Sequence, residues 1–269
     1  MKDESPETPT LNTKSNPRIR NVTYCTVIPT YNNARTVADI VRRTLAVCPH
    51  VIVVNDGSTD NTLDALSPLA AGIQLITYTR NRGKGHALRL GLEAARTAGY
   101  DAAVTIDSDG QHSPEEIPTL AAAASTDATL VVGSRWQAVG KADNMPQGMP
   151  AGNTFANRFS NFWFRLQTGI SLPDTQTGFR LYPLRHLPCL GLLTARYESE
   201  LELLVFSAWR GVRIVPVGIS VVYPEDRVSH FRPFHDFFRI SLLNTGLCLL
   251  ALVYGYPRML LHKMKGGSR

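Results

Sequence analysis

The sequence predicts an α/β protein built on an open, mostly parallel sheet. Two observations carry that prediction. Short β-branched apolar runs alternate with segments whose apolar residues recur at helical spacing. The run "HVIVVND" (50–56) is apolar almost without interruption, as in a strand buried on both faces of a parallel sheet.

"TYCTVIPTY" (23–31) is the first strand, ending at a Pro. In "NARTVADIVRRTLAV" (33–47), Val37, Ile40, Val41 and Leu45 form one helical face. "HVIVVND" is the second strand, "NTLDALSPLA" a helix and "IQLITYT" the third strand. "GHALRLGLEAARTAG" (85–99) is a helix stopped by Gly, followed by the strand "YDAAVTIDSDG". "PEEIPTLAAAAS" is a helix and "DATLVVGSR" a strand. Residues 136–154, rich in Gly, Pro, Asn and Met, read as a mobile loop. An aromatic helix (155–169), a second helix (196–211) and a strand (212–224) complete the sheet protein.

The last segment differs in kind. "FHDFFRISLLNTGLCLLALVYGYP" (234–257) is densely apolar from Leu242 to Tyr256 and is followed by Arg258, His262, Lys263, Lys265 and Arg269. A spanning helix needs about 20 apolar residues. This shorter run, carrying Asn244, Thr245 and Gly246, reads as an amphipathic helix at a membrane interface, held by its basic flank. The competing reading is a core or oligomer helix. The expected boundaries are therefore a disordered polar tail (1–20), an α/β domain (21–225) and a membrane-associating segment (226–269).

Of 269 residues, 43% are hydrophobic, enough for a sizeable core. The net charge of +6 suits phosphate-bearing ligands, anionic lipid or nucleic acid without choosing among them. Cys25, Cys48, Cys189 and Cys248 form no C-x-x-C pair, so buried free thiols in a reducing compartment are expected. No signal peptide is visible, which places the working part of the chain in the cytoplasm.

"TIDSDGQH" (105–112) is the sharpest chemical signal. In an extended backbone, Asp107 and Asp109 point the same way. Two carboxylates that close repel unless a cation lies between them or one is protonated. Mg²⁺ or Mn²⁺ takes oxygen ligands from one or two carboxylates plus substrate phosphates, and Gln111 could add an amide oxygen. The bland alternative is a solvated Asp-Gly turn. An aspartate-nucleophile phosphatase places such a motif near its start, and the three strands preceding it here disfavour that reading. "RNRGKGHAL" (80–88) sets Lys84 between two glycines at a helix start, where N–H groups and an ammonium can meet a phosphate. Pro29 and Tyr31 offer a rigid ring and an aromatic face after the first strand.

"VIPTYNN", "VIVVNDGSTDNT", "NRGKGHAL", "TIDSDGQH" and "DTQTGFRLY" occur in the order found in family 2 glycosyltransferases. The likeness covers roughly residues 22–225 and resembles the dolichyl- and polyprenyl-phosphate sugar transferases most. It implies a GT-A fold, a GDP- or UDP-sugar donor, a divalent metal and inversion at the anomeric carbon. By position, Pro29, Tyr31 and Asp56 resemble residues lining the donor base, and Asn33 stands where the family commonly has Glu. Lys84 falls in the donor-binding glycine turn. Asp107, Asp109 and Gln111 match the set that holds metal and diphosphate. Arg135 and Arg180 resemble the arginines that meet phosphate, Asp174 faces the acceptor side, and Glu202 matches a carboxylate near the active site. Asp174, Asp109 and Arg135 are the implied catalytic residues, with Asp174 the base for a hydroxyl acceptor. Asp60, with Ser58 and Thr59, reads as a helix cap.

The Q-x-x-R-W signature of processive synthases is missing, which favours single-sugar transfer. The implied partners are a nucleotide-sugar, a lipid-linked acceptor and the cytoplasmic face of the membrane, with no nucleic acid and a homo-oligomer left open. Arg227, His230 and Arg232 are read as candidates for a lipid phosphate. The alternatives are transfer to a soluble or saccharide acceptor, with the last helix only an anchor or dimer contact, and a non-catalytic nucleotide-sugar-binding subunit.

Overall fold

The structure is a computed structural model that describes residues 22–136, 151–190, 194, 196, 198–223 and 233–266. The proposed tail, most of the 136–154 loop and the Arg227–His230–Arg232 cluster lie outside the described residues.

One seven-stranded sheet organises the molecule, in the order β3-β2-β1-β4-β6-β5-β7. Its strands are β1 Tyr24–Thr30, β2 Val51–Asn55, β3 Gln74–Thr77, β4 Ala102–Thr105, β5 Thr129–Ser134, β6 Arg180–Pro183 and β7 Arg213–Gly218. β1, β2, β3 and β4 run parallel, and β6 enters antiparallel to both β4 and β5. β2 is buried at every position, as its uninterrupted apolar run requires. β6 had no counterpart among the expected strands. It is four residues long and wholly buried, too short for a periodic pattern.

The helices cover both faces. α1 Val37–Val47, α2 Thr62–Leu66 and α4 Ile117–Ala123 bound one core layer, in which Ile40, Leu66, Ile117 and Phe179 are buried. α3 Lys84–Thr97, α5 Ala151–Thr168 and α6 Glu198–Trp209 bound the other, around Leu92, Phe164, Tyr182 and Trp209. All four cysteines are free thiols; Cys25 and Cys48 are buried, whereas Cys189 is exposed. Burial, with the neighbouring Cys48, pushes the Cys25 thiol up to about 12.

Some boundaries differ from expectation; the strand expected over 212–224, for example, ends at Gly218. α5 begins at Ala151, inside the stretch read as a loop. The last helix is not continuous: α7 Pro233–Leu250 passes through a π turn, Ala251–Gly255, into α8 Tyr256–Gly266. The cause is packing. A Cβ on Gly255 would lie 2.5 Å from Trp209 Cε2, so the extra residue of the π turn lets the backbone settle on the indole. Tyr256 donates its hydroxyl to Leu166 O, and Trp209 Nε1 donates to Gln167 O at 2.8 Å. Among the described residues no helix is long and apolar enough to cross a membrane.

Candidate active site

The carboxyl ends of β1, β2 and β4 open on one side of the sheet, where open α/β folds bind ligands. β2 delivers Asp56 there, buried. Its two oxygens accept from Tyr78 Oη (2.8 Å), Asn81 Nδ2 (3.0 Å), Arg82 N (2.7 Å) and Gly83 N (2.8 Å). Asp56 thus ties down residues 78–83 rather than presenting a free edge to a base. Gly57, at φ +65°, makes the contact possible: a Cβ there would lie 2.6 Å from the backbone of Arg80 and Asn81. Asp60 accepts from Ala34 N and Thr62 N, a structural role next to α2.

The anchored turn fixes Lys84 at the start of α3. Its Nζ lies 2.8 Å and 2.9 Å from the two oxygens of Asp107 and 3.2 Å from Glu200 Oε2. Gly178 closes the cluster. A Cβ at that position would lie 2.8 Å from Lys84 Nζ and 2.9 Å from Asp107 Oδ2 and Glu200 Oε1.

β4 stops at Thr105, so Asp107 and Asp109 lie beyond the strand, Asp109 in a turn. The turn still brings them together. Burial and the Asp107 charge push Asp109 up to about 6. Burial also acts to raise Asp107 but is outweighed, chiefly by the Lys84 ammonium, and its carboxyl lies below the usual range. Gln111 N donates to Asp109 Oδ1 at 3.0 Å, and Gly110 takes φ +81°. Among the described residues no group of three or more His, Cys, Asp or Glu side chains forms a metal cage. Two crowded carboxylates suit a hard divalent cation whose remaining ligands are water and substrate phosphate, so the donor set fits Mg²⁺ or Mn²⁺.

Several expected contacts fall elsewhere. Pro29 is buried inside β1, paired in register with Val54, and offers no face to a base. Tyr31 lies just beyond β1, half-buried. Asn33 donates from Nδ2 to Ser108 Oγ at 2.8 Å, so it braces the acidic turn. Asp174 is fully buried, and both its oxygens are engaged by Arg135, at 2.7 Å from Nε and 2.9 Å from Nη2. Arg135 N and Gln176 N also donate to it. A carboxylate held this way positions Arg135. Arg180 is buried, and its guanidinium donates to the carbonyls of Thr177, Glu200 and Thr175 at 2.7, 2.7 and 2.8 Å. It splints the 174–180 segment to α6, leaving little for a phosphate.

Glu202 lies one helical step away from the cluster. Its Oε2 accepts from Thr194 N at 2.6 Å and Thr194 Oγ1 at 2.8 Å. Glu200 takes the place expected of it. In "ESELELL", Glu198 and Glu202 share a helix face at i and i+4, while Glu200 points roughly opposite. Three acids on a buried helix were the available signal; only packing decides which face meets the cleft. His112, inside the quoted motif, is also buried, with its ring 5.4 Å from Phe179. Burial brings it down to about 4, so it stays neutral.

The Glycosyl transferase family 2 model matches residues 25–190. The polyprenol monophosphomannose synthase of Mycolicibacterium smegmatis is 33% identical over 212 residues, covering 76% of this chain and 78% of that protein. The UDP-N-acetylglucosamine–dolichyl-phosphate N-acetylglucosaminyltransferase of Methanococcus voltae is 29% identical over 246 residues, covering 83% of this chain and 96% of the relative. Among solved structures, glucosyl-3-phosphoglycerate synthase from Mycobacterium tuberculosis superposes with a TM-score of 0.57 at 21% identity, over 85% of this chain and 79% of the other. That likeness concerns the fold.

Proposed function

This chain belongs to the family 2 glycosyl transferases, and from that premise we propose that it moves one sugar from a nucleotide-diphospho-sugar to a polyprenyl phosphate at a membrane surface, with inversion and with a divalent cation at Asp107 and Asp109. The observation that carries this reading is the acidic turn at the end of β4, faced by the Lys84 ammonium from α3. Breaking the bond between sugar and diphosphate leaves negative charge on the departing nucleotide. Lys84 lies where positive charge can meet it, and a bound cation would supply Lewis-acid stabilisation of the same oxygens. Asp56 holds the backbone of residues 82–83, so that Lys84 is presented from a fixed base. Arg135, oriented by Asp174, is a second cation beside the cleft.

The pairing of Asp174 bears on the acceptor. A hydroxyl acceptor needs a general base, whereas a phosphate acceptor is already an anion. The carboxylate expected as base is paired with Arg135, which favours a lipid phosphate. One of the two relatives is named for a polyprenol-linked product and the other for transfer to dolichyl phosphate. Membrane association is supported by exposed apolar side chains on the C-terminal helices, Leu242, Leu249, Leu252 and Val253, and on α5, Phe155 and Phe162. Arg158 and Arg165 flank the α5 aromatics at exposed positions, suiting anionic headgroups.

The test is transfer from radiolabelled GDP- and UDP-sugars to undecaprenyl or dolichyl phosphate in detergent or vesicles, with Mg²⁺ or Mn²⁺. The expected outcome is metal-dependent labelling of the lipid, abolished by Asp109→Ala. Full activity in that variant would sink the metal assignment.

A further inference from the structure

We propose that Lys84 is the resident counter-cation of the acidic turn, and that a divalent ion arriving at Asp107 and Asp109 displaces its ammonium toward the donor diphosphate while Glu200 keeps hold of it. This rests on the metal-assisted reading above. Asp107 and Glu200 pair with the Lys84 ammonium, and Asp109 lies near enough to feel its charge. Arg180 is close, but its donors are spent on backbone carbonyls. Lys84 is therefore the side chain that neutralises the turn, with both Asp107 oxygens within 2.9 Å of Nζ.

An ammonium and a hard dication compete for the same oxygens. Mg²⁺ or Mn²⁺ binds carboxylate oxygen at about 2.1 Å, and two positive charges cannot share Asp107 at that range without strong repulsion. Lys84 is built to yield. Its stem is flexible and its three donors rotate, whereas an arginine fork would be fixed in one plane. Its side chain keeps 18% of its surface exposed, so it is not sealed in place. Its backbone cannot follow, because Asp56 holds Arg82 N and Gly83 N. Glu200, on α6, gives the ammonium a second anchor that belongs to neither metal ligand. Gly178 leaves the room that the ammonium now fills. Metal entry would thus hand a positive charge to the diphosphate, so that metal and donor reinforce one another's binding.

The test measures Mn²⁺ binding to the full chain without any nucleotide-sugar, by the electron-spin signal of free Mn²⁺. Lys84→Met should bind Mn²⁺ at least about tenfold more tightly than wild type, and Lys84→Arg should not. Lys84→Met with Glu200→Gln restores the net charge; it should still bind more tightly than wild type, because the competing ammonium is gone. Equal or weaker binding by Lys84→Met overturns the proposal. On the unmodified protein, Mg²⁺ alone should raise the acylation rate of Lys84, followed by mass spectrometry; an unchanged rate also overturns it. That labelling needs no variant to fold. Transfer that survives chelation would defeat the metal-assisted reading itself. Metal-dependent transfer with unaltered Mn²⁺ affinity in Lys84→Met would defeat only the displacement.

Discussion

Asp109 and Gly178 are where single atoms decide the outcome. Asp109→Asn removes a charge that the metal-free site tolerates poorly. It should raise the melting temperature in chelator by a few degrees, about the scale expected when a crowded charge is relieved, while abolishing transfer. A lower melting temperature would show that Asp109 stabilises the fold. Gly178→Ala pushes a methyl against the ends of the Lys84, Asp107 and Glu200 side chains at under 3 Å, and all three charged groups must shift to make room. Transfer should fall by about 100-fold or more with the circular dichroism spectrum retained, since displacing reacting groups by an ångström is that costly. At this scale the sequence was informative about which residues gather and less so about what each one touches. Lys84 does meet Asp107, with Asp109 beside it, while Asp56 holds the turn that carries Lys84. Asp174, Arg180 and Glu202 also carry chemistry suited to ligands, and in the structure they bond to Arg135, to backbone carbonyls and to Thr194. Burial and pairing of that kind arise from tertiary packing, which no spacing rule reports.

Among the elements, β1–β5 and α3 were legible because apolar runs and helical spacing are long enough to show a period. β6 was not, because Arg180–Pro183 follows directly on a polar, glycine-bearing motif that reads as a loop. The break between α7 and α8 was hidden for another reason. It exists because Trp209 on α6 occupies the space beneath Gly255, a contact between residues 46 positions apart. That contact, with Trp209 Nε1 bonded to Gln167 O, holds the C-terminal helices on the body. Trp209→Ala should destabilise the protein by about 3–5 kcal/mol in denaturant titration, the usual range for a buried aromatic. A loss below about 1 kcal/mol would mean that the C-terminal helices are held some other way.

The whole molecule presents a cleft on one side of its sheet and an apolar surface on its last helices and α5. Leu249 and Val253 keep 64% and 76% of their surface exposed, more than a free soluble face needs. Replacing both with Asp should cut co-sedimentation with anionic vesicles by about tenfold or more, as two apolar anchors are lost. Donor binding, read by thermal shift, should be unchanged. Equal vesicle binding would assign that face to some other contact. The central claim is the acceptor, and mass analysis of the lipid product addresses it directly. Wild-type chain, the nucleotide-sugar that raises its melting temperature most, Mg²⁺ and undecaprenyl phosphate in vesicles should yield the lipid phosphate heavier by one sugar residue. A lipid that stays unmodified while the sugar appears on a soluble hydroxyl acceptor would contradict the account.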